Sequence, residues 1–157
     1  MQTDEQLDLI TDFLRCRRIA VAGVSRGSGS AANAVFRRLK DSGFEVLPVN
    51  PNASQVEGVK CFPNLESNPG EIDGVMVATH PDVSLEIVRQ ALRRRIPRIW
   101  FHRSVGQGSV SEDAVRECET HGVRCIVGGC PLMYCEPVDP AHRFFRWWLR
   151  LRGRVPA

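Results

Sequence analysis

Apolar positions along the chain switch between helical and strand periods, and the switching marks out a series of elements. Leu7, Ile10, Phe13 and Leu14 recur at helical spacing within residues 4–16, with Glu5, Asp8 and Asp12 free to face water. A compact apolar run, residues 18–24, follows as a strand. After the small-residue loop "GVSRGSGS", Val35, Phe36 and Leu39 give a helix over 33–41, with Gly43 as its stop. A second strand covers 44–49 and closes on "PVNPN", where Pro51 holds Asn50 extended and Asn52 favours a turn.

The pattern then repeats. Residues 72–79 read as a strand, and 82–95 as a helix burying Val83, Ile87, Val88, Ala91 and Leu92. Residues 98–101 form the next strand, 111–121 a helix, and 123–127 the fifth strand. Strand, helix and strand at these spacings favour parallel crossovers, which predicts an α/β, Rossmann-like, doubly wound five-stranded parallel sheet with helices on both faces. In such sheets ligands sit beyond the carboxyl ends of the strands, where strand order reverses. The loops expected at those ends are "GVSRGSGS", "VNPN", "ATHPD", "FHRSVGQGS" and "GGCPLMYCEP".

Composition narrows the class. The 157 residues are 43% hydrophobic, enough for one domain over 1–157 that buries roughly two thirds of its unfolded surface. A net charge of +3, with the two signs interspersed except for an acidic start and an arginine-rich tail, does not call for a nucleic-acid partner. The acidic start is unlike a signal peptide, and no apolar run reaches the roughly 20 residues needed to span a bilayer, so a cytoplasmic protein is expected. The six cysteines are read as thiols on the same ground.

The first loop carries the chemistry. A dinucleotide fingerprint would place glycines at the positions of Gly23, Ser25 and Ser28, and only the first is present. Gly23 still permits the tight bend, so amides near residues 25–30 can face an anion, with the hydroxyls of Ser25, Ser28 and Ser30 and the charge of Arg26 as further donors. At the end of strand two an NAD site needs an acid for the ribose, yet the sequence there is "VLPVNPN", and Glu45 lies at the strand's beginning. A nucleotide bearing an extra phosphate fits this acid-free end better than NAD. NADP and an empty pocket are also compatible with it.

These pieces in this order resemble the small stand-alone CoA-binding proteins, which are similar to the nucleotide-binding domain of the succinyl-CoA synthetase alpha subunit. The resemblance covers residues 15–135 and rests on the glycine loop together with "PVNP", "VEGVKCFPNLES", "HPDVSLEIVRQALRRRIPRIWF" and "GVRCIVGGCPLM". It implies CoA or an acyl-CoA as cofactor. Gly23, Ser25, Arg26 and Ser28 match the diphosphate-contacting turn, Asn50 and Pro51 the region near the adenosine, and Thr79, His80 and Pro81 the third-strand loop. The synthetase's active-site histidine and partner domain lie outside the matched region, so no ligase activity is implied. The loop "FHRSVGQGS" also departs from the "LQxG" form common among the small proteins.

Other constellations are weaker. His102, His121, Cys118, Cys125, Cys130 and Cys135 contain no C-x-x-C pair, so no metal site is assigned. Cys130 follows Gly128 and Gly129 at a strand end, where an exposed thiol could meet the thiol of CoA; a structural role is the simpler reading. His80 and His102 have no nucleophile or carboxylate at a diagnostic spacing, and no catalytic residue is assigned. Asp82 and Asp113 read as early helical acids. The segment "DPAHRFFRWWLRLRGR" predicts an amphipathic helix over 140–151, aligning Phe144, Trp148 and Leu151 among arginines. Packing on its own sheet is the ordinary reading, against a homodimer, protein-partner or membrane contact. The expected function is that of a small CoA carrier, sensor or accessory protein. An NAD(P)-linked oxidoreductase and an interaction module that has lost its nucleotide are the alternatives.

Overall fold

The computed structural model describes residues 2–27, 29–103, 107–135 and 140–152, apart from the side chains of residues 2, 3, 142, 145, 149 and 150. Strand β1 (Arg18–Ala22) is buried at four consecutive positions because helices cover both of its faces. Ile19 and Val21 enter one core with Phe13 of α1 (Gln2–Phe13) and with Val35, Phe36 and Leu39 of α2 (Ala31–Asp41). Ala20 and Ala22 enter a second core, formed with α3 (Pro81–Arg93) and α4 (Glu112–Thr120).

The remaining strands are β2 (Glu45–Val49), β3 (Gln55–Val56), β4 (Val59–Lys60), β5 (Gly74–Val77), β6 (Ile99–Phe101) and β7 (Cys125–Val127). The five-stranded sheet has the order β2-β1-β5-β6-β7, and every pairing in it is parallel. The chain leaves β1 for β2 on one side and returns past β1 to β5 on the other, so strand order reverses between β1 and β5. Register aligns Ala22 with Val49 and Val77, Val77 with Phe101, and Phe101 with Val127. All five carboxyl ends therefore open on one edge. The Rossmann-like class and two-sided helical cover follow the sequence expectation, although the strands are shorter than predicted. Gly23, at φ +105°, turns the chain out of β1, and Pro81 begins α3 soon after β5.

Three features differ from the sequence reading. Between β2 and β5 the connector forms a two-residue antiparallel hairpin, β3 to β4, whose turn residues Glu57 and Gly58 are both left-handed, at φ 51° and 73°. In α3, Val83 is exposed, whereas Ser84 is buried. The Ser84 hydroxyl donates to the Ser109 carbonyl at 2.6 Å and lies 3.1 Å from Thr79 Oγ1, which rotates the first turn away from a purely apolar seam. A 3-10 turn (Pro131–Met133) leads towards α5 (Pro140–Leu151), which packs on that turn. Only Trp148 of the predicted stripe turns inward: Phe144 and Leu151 are exposed.

Candidate functional site

The switch point between β1 and β5 is closed to any side chain at residue 23. A Cβ built on Gly23 would overlap the Ala78 carbonyl oxygen and stand 2.9 Å from the Thr79 amide nitrogen. The Gly23 amide donates to the Val49 carbonyl at 3.3 Å. The ends of β2, β1 and β5 are thereby drawn together beneath the loop of residues 23–30.

Asn33 fixes that loop. Although polar, it is only 1% exposed, so its four side-chain hydrogen-bonding positions must be met internally. Its Oδ1 accepts from the Ser25 amide at 2.8 Å and the Ser30 hydroxyl at 2.7 Å. Its Nδ2 donates to the Ser25 carbonyl at 2.8 Å and to Glu57 Oε1 at 2.9 Å. Ser30 is the N-cap of α2, its hydroxyl accepting from the Asn33 amide at 3.1 Å. One side chain thus clamps both ends of the loop and ties it to the β3–β4 turn. Sequence reading placed Asn33 simply as the start of a helix. The available signal was S-x-x-N at that start, a spacing like that of a capping box.

Glu57 completes the brace. Its Oε1 also receives Arg37 at 2.7 Å, and the Glu57 side chain is 19% exposed. The hydrogen bond from Asn33, followed by the charge and hydrogen bond of Arg37, holds its carboxyl below the usual carboxylate range. This acid lies near the loop, but both bonds to its Oε1 turn it towards α2. It does not supply the ribose acceptor missing from the end of β2.

The predicted contact residues take different places around this edge. Gly23 is the pivot. Ser25 is half-buried, with its amide on Asn33 and its hydroxyl donating to the Gly27 carbonyl at 2.9 Å, so its expected phosphate-facing donors are already engaged. Arg26 is exposed, and among the described residues its guanidinium and the amides of Arg26, Gly27 and Ala31 have no intramolecular partner. Ala31 is the first residue of α2, and a helix N-terminus favours an anion. Ser28 lies outside the described residues. Asn50 braces the loop from the other side: its Nδ2 donates to the Val24 carbonyl at 2.7 Å and its Oδ1 accepts from the Asn52 amide at 2.8 Å. Pro51 is exposed beside it. Thr79 contacts Ser84, while His80 caps α3 by accepting from the Asp82 amide at 3.4 Å, with half-buried Pro81 in the first helical position. Asp82 and Asp113 are first-turn acids, as expected.

The far side of the edge is structural. Cys130 is 4% exposed and packs with Met133 in the first core, which removes a thiol facing the cleft. Trp100 Nε1 donates to the Gly128 carbonyl at 2.8 Å, and the Ser109 hydroxyl donates to the Val77 carbonyl at 2.6 Å. Residues 104–106 of the β6 loop lie outside the described residues. All six cysteines are buried, and none is in a disulfide. Burial pushes Cys16 and Cys135 up to about 11, and a hydrogen bond with Cys125 together with burial raises Cys118. These thiols are poor nucleophiles at neutral pH. Among the described residues no three His, Cys, Asp or Glu side chains converge as metal ligands would.

The fold and this edge define a Rossmann-like class, with the loop after β1 clamped at the switch point. Within that class the chain belongs to the CoA binding domain family, whose model matches residues 17–136. It is 28% identical over 130 residues to the Bacillus subtilis "Uncharacterized protein YneT", covering 83% of this chain and 93% of that protein. It is 35% identical over 126 residues to the alpha subunit of the ADP-forming acetate–CoA ligase II of Pyrococcus furiosus. That match covers 75% of this chain but 27% of the ligase subunit. A solved structure of a hypothetical protein from Pyrococcus horikoshii superposes with a TM-score of 0.72 at 26% identity, covering 83% of this chain and 87% of that one.

Proposed function

We propose that this chain binds CoA or an acyl-CoA at the carboxyl edge of the sheet and acts as a small carrier, sensor or accessory protein. The observation that carries the reading is the Asn33 clamp, which holds the loop of residues 23–30 at the β1–β5 switch point beside an acid-free end of β2. In this reading the diphosphate lies against the exposed amides and Arg26 at the start of α2. Asn50 and Pro51 border the adenosine, and the loop of Thr79, His80 and Pro81 forms the opposite wall. A fixed loop lowers the ordering cost of binding, because its donors need not be arranged when the ligand arrives. The kinship with a ligase subunit supports the ligand class and leaves the reaction unassigned. Most of that subunit has no counterpart in the matched region.

Isothermal titration with CoA, dephospho-CoA, NAD and NADP tests the proposal. CoA is expected to bind more tightly than dephospho-CoA, and NAD weakly or not at all. Tight NAD binding with no heat from CoA would reject it in favour of the oxidoreductase reading. Arg26→Ala is expected to weaken CoA about tenfold at low salt, with a smaller loss at high salt, as for a screened charge contact. An unchanged affinity removes Arg26 from the site.

A further inference from the structure

Helix α5 presents a face that the CoA reading does not use. Phe144, Trp147 and Leu151 are 57%, 55% and 69% exposed, at i, i+3 and i+7, forming one stripe about 10 Å long. The rings of Phe144 and Trp147 lie 5.8 Å apart. The opposite side is anchored: Trp148 packs against the first core, and Arg146 lies over the Tyr134 ring at 4.7 Å while donating to the Met133 carbonyl at 3.2 Å. The stripe therefore faces outward on a helix already attached to the domain.

The charge around the stripe selects what can cover it. Beyond residue 139 the sequence has five arginines and no acidic residue. Arg143 is exposed beside the stripe, and Arg152 lies over the Trp148 ring at 4.0 Å. A second copy meeting this helix about a two-fold axis would bring arginines against arginines without a neutralising acid in either helix. An anionic bilayer surface supplies negative charge to the exposed Arg143 and Arg152 and an apolar boundary to Phe144, Trp147 and Leu151 without a shaped partner. Among the described residues no helix is long and apolar enough to cross a membrane, so the contact is one of lying on the surface.

We infer that α5 docks the protein on anionic lipid surfaces, with Phe144, Trp147 and Leu151 entering the headgroup boundary and Arg143 and Arg152 pairing with lipid phosphates. The full chain is mixed with phosphatidylcholine vesicles with and without phosphatidylglycerol, and vesicle-bound protein is measured by flotation. Binding is expected only with phosphatidylglycerol and is expected to weaken with salt. Arg143→Gln should cost about fivefold, as one neutralising surface charge does, and the double variant Phe144→Ser, Trp147→Ser more than about tenfold through lost apolar insertion. An unchanged melting temperature and unchanged CoA titration in the double variant separate docking from folding and from nucleotide binding. Absence of binding to phosphatidylglycerol vesicles overturns the inference, as does binding indifferent to the double variant. Self-association that the double variant abolishes, without vesicle binding, assigns the face to a second copy instead.

Discussion

Replacing Asn33 should injure both stability and nucleotide affinity. Asn33→Ala removes four side-chain hydrogen bonds from a position that is 1% exposed. Each such bond contributes about 1 kcal/mol net, but Ser25 and Ser30 are half-buried, so water can recover part of the loss. The expected cost is about 2–3 kcal/mol, or a fall in melting temperature of about 4–12 °C for a chain of this size. Freeing the loop should also weaken CoA by about tenfold, equivalent to ~1.4 kcal/mol of ordering. Asn33→Asp gives the sharper result. The introduced carboxylate keeps the acceptor for the Ser25 amide but loses the donor to Glu57 Oε1 and places like charges together. Its folded pKa is raised above its unfolded value, so its protonated form stabilises the fold below that value, and the benefit is lost as pH rises through the folded pKa. The variant should therefore be impaired at neutral pH and recover on acidification towards pH ~4. Thermal melts across pH, CoA titration and hydrogen exchange at the Ser25 amide measure the three consequences. Wild-type melting and CoA affinity in Asn33→Ala, or an Asn33→Asp variant insensitive to pH, would refute the clamp.

Gly23→Ala should lower stability by at least about 2 kcal/mol and abolish CoA binding, because the methyl group meets the Ala78 carbonyl at a left-handed position; denaturant unfolding and titration measure it. Asp73 Oδ2 accepts from the Arg17 and Arg18 amides, both at 2.9 Å, and these bonds lower its pKa, the one from Arg18 most. It contributes stability above its unfolded value near 3.8 that is lost as pH falls through the lower folded value. Asp73→Asn should therefore flatten the acid limb of the stability curve, and acid titration of the wild type against the variant reads this directly. Arg95 is exposed just past the end of α3 at φ 54°, so Arg95→Gly should raise stability by about 0.5–1 kcal/mol in thermal or urea unfolding.

Residues 18–24 and 72–79 read as buried strands because apolar runs between turn formers have few other stable uses in a chain of this length. Their order, interrupted by periodic helices, already implied parallel crossovers and placed the loops of Gly23, Asn50 and Thr79 on one edge. The clamp was not legible. Asn33 bonds to Ser25 and Glu57, 8 and 24 positions away, and helical periodicity carries no information about such partners. The β3–β4 turn was obscured because Glu57 is an uncommon residue at positive φ, with Gly58 as the only conventional turn signal. In α3 the periodicity predicted Val83 inward, but the Ser84–Ser109 hydrogen bond decided the facing of the first turn.

By itself the sequence determined the order of elements, the parallel sheet and the edge on which its loops gather, since these depend on local periodicity, turn chemistry and the handedness of crossovers. Tertiary structure decided which groups stay open at that edge and which support the loop. Ser25 and Asn50 became braces, Cys130 entered the core, and Phe144 and Leu151 were left on the outside. Hydrogen bonds and burial depend on distances between segments remote in the chain, and those distances exist only once the sheet has closed the segments against one another.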